Sequence, residues 1–246
     1  MDLGIRGRRA AVAAATAGLG YASAAALAAE GAQVVICGSD EGRARAAAGR
    51  LGPGVRWLRA DVAEPDGAAG FVEDAAALLG GLDILVVNGP GPPPGTIART
   101  PPEAYQPALE RSLLAVVRMS LAALPFMREH GWGRIVAITS LGVRQPYPNL
   151  ALSNTARAGA TGFLRTLARE VAAEGITVNS VQPGLHRTER VAQVYGDSPP
   201  LGDVPAGRLG EPADLGAVVA FLCSAQAGYL TGAAVPVDGG AYQALL

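Results

Sequence analysis

Three side chains with chemical capacity stand at intervals that a strand and the next helix would bring together. They are Ser140, then Ser153 thirteen positions on, then Arg157 four further. Residues i and i+4 of a helix share a face with Cβ atoms about 6 Å apart, so Ser153 and Arg157 offer a hydroxyl and a guanidinium side by side. A hydroxyl orients a polar oxygen by hydrogen bonding, and a guanidinium grips carboxylate, phosphate or diol oxygens through its planar fork. Two further groups belong to the same stretch of chemistry: Tyr147, between the two serines, and His186, whose imidazole titrates near neutrality. All 20 basic residues are arginine, so no lysine is available for a Schiff base, a phosphate loop or an assisted proton transfer.

These groups need a frame, and the chain supplies one by alternation. Residues 9–15, 32–37, 55–60, 83–87, 133–139, 176–182 and 233–237 read as strands, with helical Ala/Leu-rich stretches near 18–30, 40–51, 66–79, 103–130, 150–174 and 211–225. Strand–helix alternation of this kind predicts an α/β fold with a doubly wound, seven-stranded parallel sheet and helices on both faces. The runs VVICG, ILVVNG and RIVAITS are apolar almost throughout, as strands buried on both faces should be. No linker, composition shift or internal repeat divides the chain, so residues 1–246 read as a single domain. Two Pro/Gly-rich segments leave the carboxyl ends of strands, where open α/β sheets bind ligands. The second, about 185–207, is long enough to form a substrate lid.

Composition narrows the partner. Half the residues are hydrophobic, the net charge is −1 and no basic block occurs, which excludes the electrostatic footprint of a nucleic-acid binder and predicts a small-molecule substrate. No apolar run reaches the roughly 18 residues of a membrane span. Cys37 and Cys223 stand far apart with no metal-binding cluster, so neither a disulfide framework nor a metal site is expected. The arginines before the first apolar run imitate a secretory leader, but the run is mostly alanine and leads into a glycine turn, so a cytoplasmic location is expected.

That turn lies between the first strand and the first helix, in AAATAGLGYA. Gly18 and Gly20 let the backbone turn tightly and bring amide N–H groups toward a pyrophosphate at a helix N-terminus. With it go ADV (Asp61, Val62), the loop opening Asn88-Gly89-Pro90, QPG (Gln182, Pro183, Gly184) with Thr188 beyond, GRLGEP and YLTGAAVPVDGG. Together these resemble the short-chain dehydrogenase/reductase family, of the 3-oxoacyl-acyl-carrier-protein reductase branch, over essentially the whole chain.

The resemblance implies a Rossmann-type dinucleotide site and an oxidoreductase acting on a carbonyl or alcohol. It places the cofactor against Ala14, Thr16, Gly18, Leu19, Gly20, Asp61, Val62, Asn88, Gly89, Arg157, Pro183, Gly184 and Thr188. The family's first turn has glycine where this chain has Ala14. In this family an acidic residue ending the second strand marks NAD and a basic one NADP; Ser39 with Arg43 one helical turn on points to NADP, with NAD possible.

The family's chemistry uses Asn, Ser, Tyr and Lys. Carried over by position, the serine is Ser140, whereas Ser112, Ser153 and Arg157 stand for the asparagine, tyrosine and lysine. An aliphatic hydroxyl is a far weaker acid than a phenol, so the proton must come from elsewhere, with His186 and Tyr147 as candidates. Two alternatives stay open: a dinucleotide-binding homologue without turnover, and an enzyme resembling the halohydrin dehalogenases, which pair Ser and Arg. A homodimer or homotetramer packed on the two long helices is also expected from the resemblance, and LLAVVRMSLAALPFM is apolar on more than one face.

Overall fold

A computed structural model describes residues 2–245 and shows why the apolar runs are continuous. Seven strands form one sheet in the order β3-β2-β1-β4-β5-β6-β7, every neighbouring pair parallel. They are β1 Arg9–Val12, β2 Gln33–Gly38, β3 Val55–Arg59, β4 Ile84–Val87, β5 Gly133–Ile138, β6 Ile176–Pro183 and β7 Ala234–Val237. Side chains alternate across a strand, so Ala10, Val12, Ile36 and Val86 enter one apolar core while Ala11, Val35 and Leu85 enter the other. The first core is closed by α1 (Gly18–Ala29), α2 (Glu41–Leu51) and the last long helix; the second by α3 (Pro65–Leu79) and the pair that follows β4 and β5. The domain is Rossmann-like, as the alternation predicts.

Differences from the expected boundaries are local. Strand β1 stops at Val12 because the chain must already turn toward α1. The expected helix over 103–130 is interrupted: α4 (Tyr105–Leu109) passes through a π-turn at Glu110–Leu114 into α5 (Ala115–Glu129). A π-turn inserts one residue into the helical ladder and shifts the side chains beyond it around the axis. Helix α6 spans Ala151–Val171. Within the segment read as a lid, Thr188 accepts a hydrogen bond from the Val191 N–H and starts a short helix, α7 (Glu189–Tyr195), and α8 (Pro212–Leu222) follows with a reciprocal capping box between Glu211 and Asp214.

The strand order reverses between β1 and β4, which opens a crevice beyond their carboxyl ends. The opposite ends of those strands are tied together. Arg9 donates from its Nε and Nη2 to the two carboxylate oxygens of buried Asp83, at 2.8 Å each, and its backbone N–H adds a third bond. A bidentate pair of this kind fixes the relative register of the strands that carry the site.

Among the described residues no helix is long and apolar enough to cross a membrane.

Candidate active site

The crevice begins at the glycine turn. Gly18 opens α1 with φ +59°, a left-handed conformation that glycine adopts without Cβ conflict. Gly20 is required by proximity: a Cβ there would stand 2.6 Å from Asn88 Nδ2 and 2.8 Å from the Ala14 carbonyl oxygen. That carbonyl accepts a hydrogen bond from Asn88 Nδ2 at 3.0 Å, so the loop after β4 is fastened to the turn after β1.

Ala14 is the one non-glycine with positive φ among the described residues, at +46°. A Cβ in this region costs about 1–2 kcal/mol, partly offset by the greater freedom that glycine has in the unfolded chain. Ala14→Gly is therefore expected to raise stability by about 0.5–1 kcal/mol, read as a higher denaturation midpoint at unchanged slope. An unchanged or lower midpoint would show that the turn is not strained.

Two cavities flank this turn. One, of about 230 Å³, is lined by Ala14, Thr16, Ser39, Asp61, Val62 and Asn88, among others. The exposed Arg59 donates from Nε to the Ser39 carbonyl at 3.4 Å, and Arg50 reaches the Thr16 carbonyl at 3.5 Å. Both arginines were missed in the sequence, because neither lies in a motif and the parallel pairing of β2 with β3 is what brings Arg59 to the end of β2. Arg43 is exposed on the first turn of α2, its backbone N–H bonded to the Asp40 carboxylate at 2.7 Å. Asp61 turns one carboxylate oxygen onto the Ala63 N–H.

The other cavity, about 370 Å³, runs from Gly18 and Leu19 past Gly89 to Ser140, Tyr147, Ser153 and Arg157, under Pro183, Gly184 and the lid segment with Thr188, Arg190 and Tyr195. The sequence-predicted groups thus meet in one cleft. Ser140 follows β5 and accepts the Gly142 N–H at 3.0 Å, which caps a 3-10 turn and sets its hydroxyl at the cleft wall. Ser153 is largely buried on α6. Arg157, one turn later, donates from Nη1 to the Ile138 carbonyl at 2.8 Å. Burial pushes its guanidinium down to about 10, and the neighbouring charge of Arg190 adds to the effect; it stays protonated at neutral pH.

Thr188 packs beside the glycine turn, its Cγ2 3.7 Å from where a Gly18 Cβ would stand. Gly184 has no room for a side chain because Asp238 packs against it. The loop after β4 is held over the cleft by Gly95, whose N–H bonds to the Asn149 carbonyl at 2.7 Å and whose carbonyl accepts from Ala151.

The remaining candidates are placed differently. Ser112 lies in the π-turn, buried, its hydroxyl without a partner, and it does not border the cleft; the adjacent Arg111 carbonyl lies 3.4 Å from the Cβ position of Gly89. His186 is 2% exposed. It is part of the cleft lining, but its ring packs on Gly210, Nδ1 faces the Gly184 carbonyl at 3.3 Å and Nε2 has no partner. Burial lowers its pKa, so the ring is neutral at pH 7. Tyr147 borders the cleft, and burial, then the neighbouring Tyr195, pushes its phenol up to about 12.

Comparison with known proteins shows the family of the chain. Residues 13–242 match the family described as Enoyl-(Acyl carrier protein) reductase. The chain is 36% identical over 242 residues to the 3-oxoacyl-(acyl-carrier-protein) reductase FabG of Escherichia coli, covering 98% of this chain and 99% of that one. It is 32% identical over 237 residues to dehydrogenase/reductase SDR family member 4 of Bos taurus, covering 93% of this chain and 85% of that one. The chain belongs to the short-chain dehydrogenase/reductase family. Among solved members, the L-sorbose reductase of Gluconobacter frateurii, crystallised with NADPH and L-sorbose, superposes with a TM-score of 0.92 at 33% identity over 100% of both chains.

Proposed function

We propose that the protein is an NADP(H)-dependent oxidoreductase that interconverts a small carbonyl compound and its alcohol, through an active site in which Ser153 and Arg157 occupy the places of the family's tyrosine and lysine. The observation that carries this reading is the continuity of the cleft, which joins the glycine turn to Ser140, Ser153 and Arg157. The residues present fit the cofactor. The first N–H groups of α1 have no intrahelical acceptor and suit a pyrophosphate. Thr16, Ser39 and Asp61 suit the adenosine half, and Arg157 the ribose next to the nicotinamide. When bound, the nicotinamide supplies or takes up hydride. The reductase neighbour that carries NADPH supports the same choice.

The phosphate of NADP distinguishes it from NAD, and this chain offers it Ser39, Arg43 and Arg59 while the Asp40 carboxylate is engaged by α2. Calorimetric titration is expected to give NADPH an affinity at least about tenfold above NADH, and Arg43→Ala with Arg59→Ala is expected to erase the difference. Equal affinity in the parent protein would overturn the NADP assignment.

Two phenols border the cleft, Tyr147 and Tyr195, and Tyr147 is taken for the proton because it shares the Gly142 contact with Ser140, while Tyr195 lies on the lid beside Arg190. Ser140 and Ser153 orient the carbonyl oxygen, and Tyr147 donates to it as it becomes an alkoxide. His186 packs its ring on Gly210, so its part is to hold the backbone below Thr188. A second reading, dinucleotide binding without turnover, is favoured by one observation: α6 carries no tyrosine. Loss of NADPH absorbance in a screen of small ketones and aldehydes separates the two.

A further inference from the structure

Seven of the 20 arginines form ion pairs with aspartate or glutamate among the described residues, and neither Arg157 nor Arg190 is one of them. Yet both border the same cleft. Arg190 enters from α7, donates from Nη2 to the Pro92 carbonyl at 2.6 Å and lies flat on Gly91, whose Cβ position is 3.2 Å from its Nε. That contact uses one of five N–H bonds, and the side chain is part of the cleft lining. The rim carboxylate, Glu189, is paired with neither cation. Burial depresses both guanidiniums, and Arg157 feels the charge of Arg190. The phenol of Tyr195 lies near Arg190, and burial raises its pKa, so it is neutral at pH 7 and supplies no counter-charge. Two desolvated like charges lining one cleft repel each other, and an anion that enters between them relieves that repulsion.

We propose that the cleft selects substrates that carry a carboxylate, an oxo acid or its hydroxy acid, with Arg190 gripping the carboxylate in the field of Arg157. This rests on the oxidoreductase reading and names its substrate class. The carbonyl end then faces Ser140, Ser153 and Tyr147, while the acid end faces α7. A forked guanidinium is suited to the planar, bidentate carboxylate, and an uncharged analogue would leave the remaining N–H groups of half-buried Arg190 without that acceptor. The same two cations could instead serve the cofactor's own pyrophosphate, which shares the anionic chemistry.

The test uses a matched pair, acetoacetate and methyl acetoacetate, titrated calorimetrically into the full-length protein with and without saturating NADP+. Acetoacetate is expected to bind about 10- to 100-fold more tightly than its ester. Arg190→Gln is expected to bring that ratio near one, and Arg190→Lys to restore part of it. Equal binding of acid and ester by the parent protein overturns the proposal without reliance on any variant. So does an Arg190→Gln protein that loses NADPH affinity while keeping the acid preference, because the cation would then belong to the pyrophosphate. Failure of the oxidoreductase reading shows separately, as absence of NADPH binding or oxidation, whereas carboxylate preference is read from heat alone.

Discussion

Gly20→Val is expected to abolish measurable NADP(H) binding and to lower the melting temperature, whereas Gly70→Ala leaves binding intact. The position admits no side chain. A Cβ would overlap Asn88 Nδ2 at 2.6 Å, the Ala14 carbonyl at 2.8 Å and Ala15 Cα at 3.1 Å. Two of these contacts are backbone, so relief requires the turn itself to move, and the Asn88 to Ala14 hydrogen bond that fastens the β4 loop goes with it. Overpacking costs about 1–3 kcal/mol of stability. The effect on binding is larger, because a displacement near 1 Å in a positioning element costs about 10²-fold and here both halves of the crevice shift. Gly70 lies inside α3 with nothing within 4 Å of its Cβ position, so alanine there gains up to about 1 kcal/mol of helix propensity. Calorimetry and thermal melts on both variants decide it: full NADPH affinity in Gly20→Val would remove the glycine turn from the site.

Tyr147→Phe is expected to lower kcat for carbonyl reduction by about 10² to 10⁴ with little change in NADPH affinity. The variant removes one oxygen from a phenol that borders the cleft. The pH profile carries a sharper signature. With its pKa pushed up to about 12 by burial, Tyr147 is fully protonated from pH 6 to 9, so reduction that draws on this proton is flat across that range. Alcohol oxidation needs the deprotonated form, whose fraction rises tenfold per pH unit well below the pKa, so the reverse rate should climb about 100-fold between pH 7 and 9. Phenylalanine at 147 should flatten that climb. If His186 were the donor, its imidazole, with a pKa depressed below the ordinary value by burial, would make reduction fall as pH rises through neutrality, and His186→Ala would abolish it.

Much of this site is local in sequence, and local features survive translation into structure. Gly18, Gly20, Asn88, Ser140, Ser153 and Arg157 lie at the ends of strands or one turn apart on a helix, so strand alternation and helical spacing are enough to predict that they share an edge of the sheet. What was illegible depends on strand pairing or on irregular backbone. Arg59 reaches Ser39 because β2 and β3 pair in a register that aligns Gly38 with Arg59. Ser112 leaves the cleft because a π-turn rotates the helix there, and no side-chain pattern marks the inserted residue. Helix α7 did carry a signal, a threonine cap followed by glutamate in the first turn, yet its seven residues are too few for periodicity to declare a face.

By itself, then, the sequence determined the order of strands and helices, the parallel sheet, the glycine turn that opens the crevice and the pairing of Ser153 with Arg157, because each follows from side-chain period, turn chemistry or i,i+4 spacing. Tertiary structure alone decided which distant groups face that pair: it set Tyr147 in the cleft wall, turned the His186 ring onto Gly210 and laid Arg190 across Gly91. Those choices are made where segments far apart in the chain close on one another, and their energies come from packing and desolvation, which no local pattern of residues records.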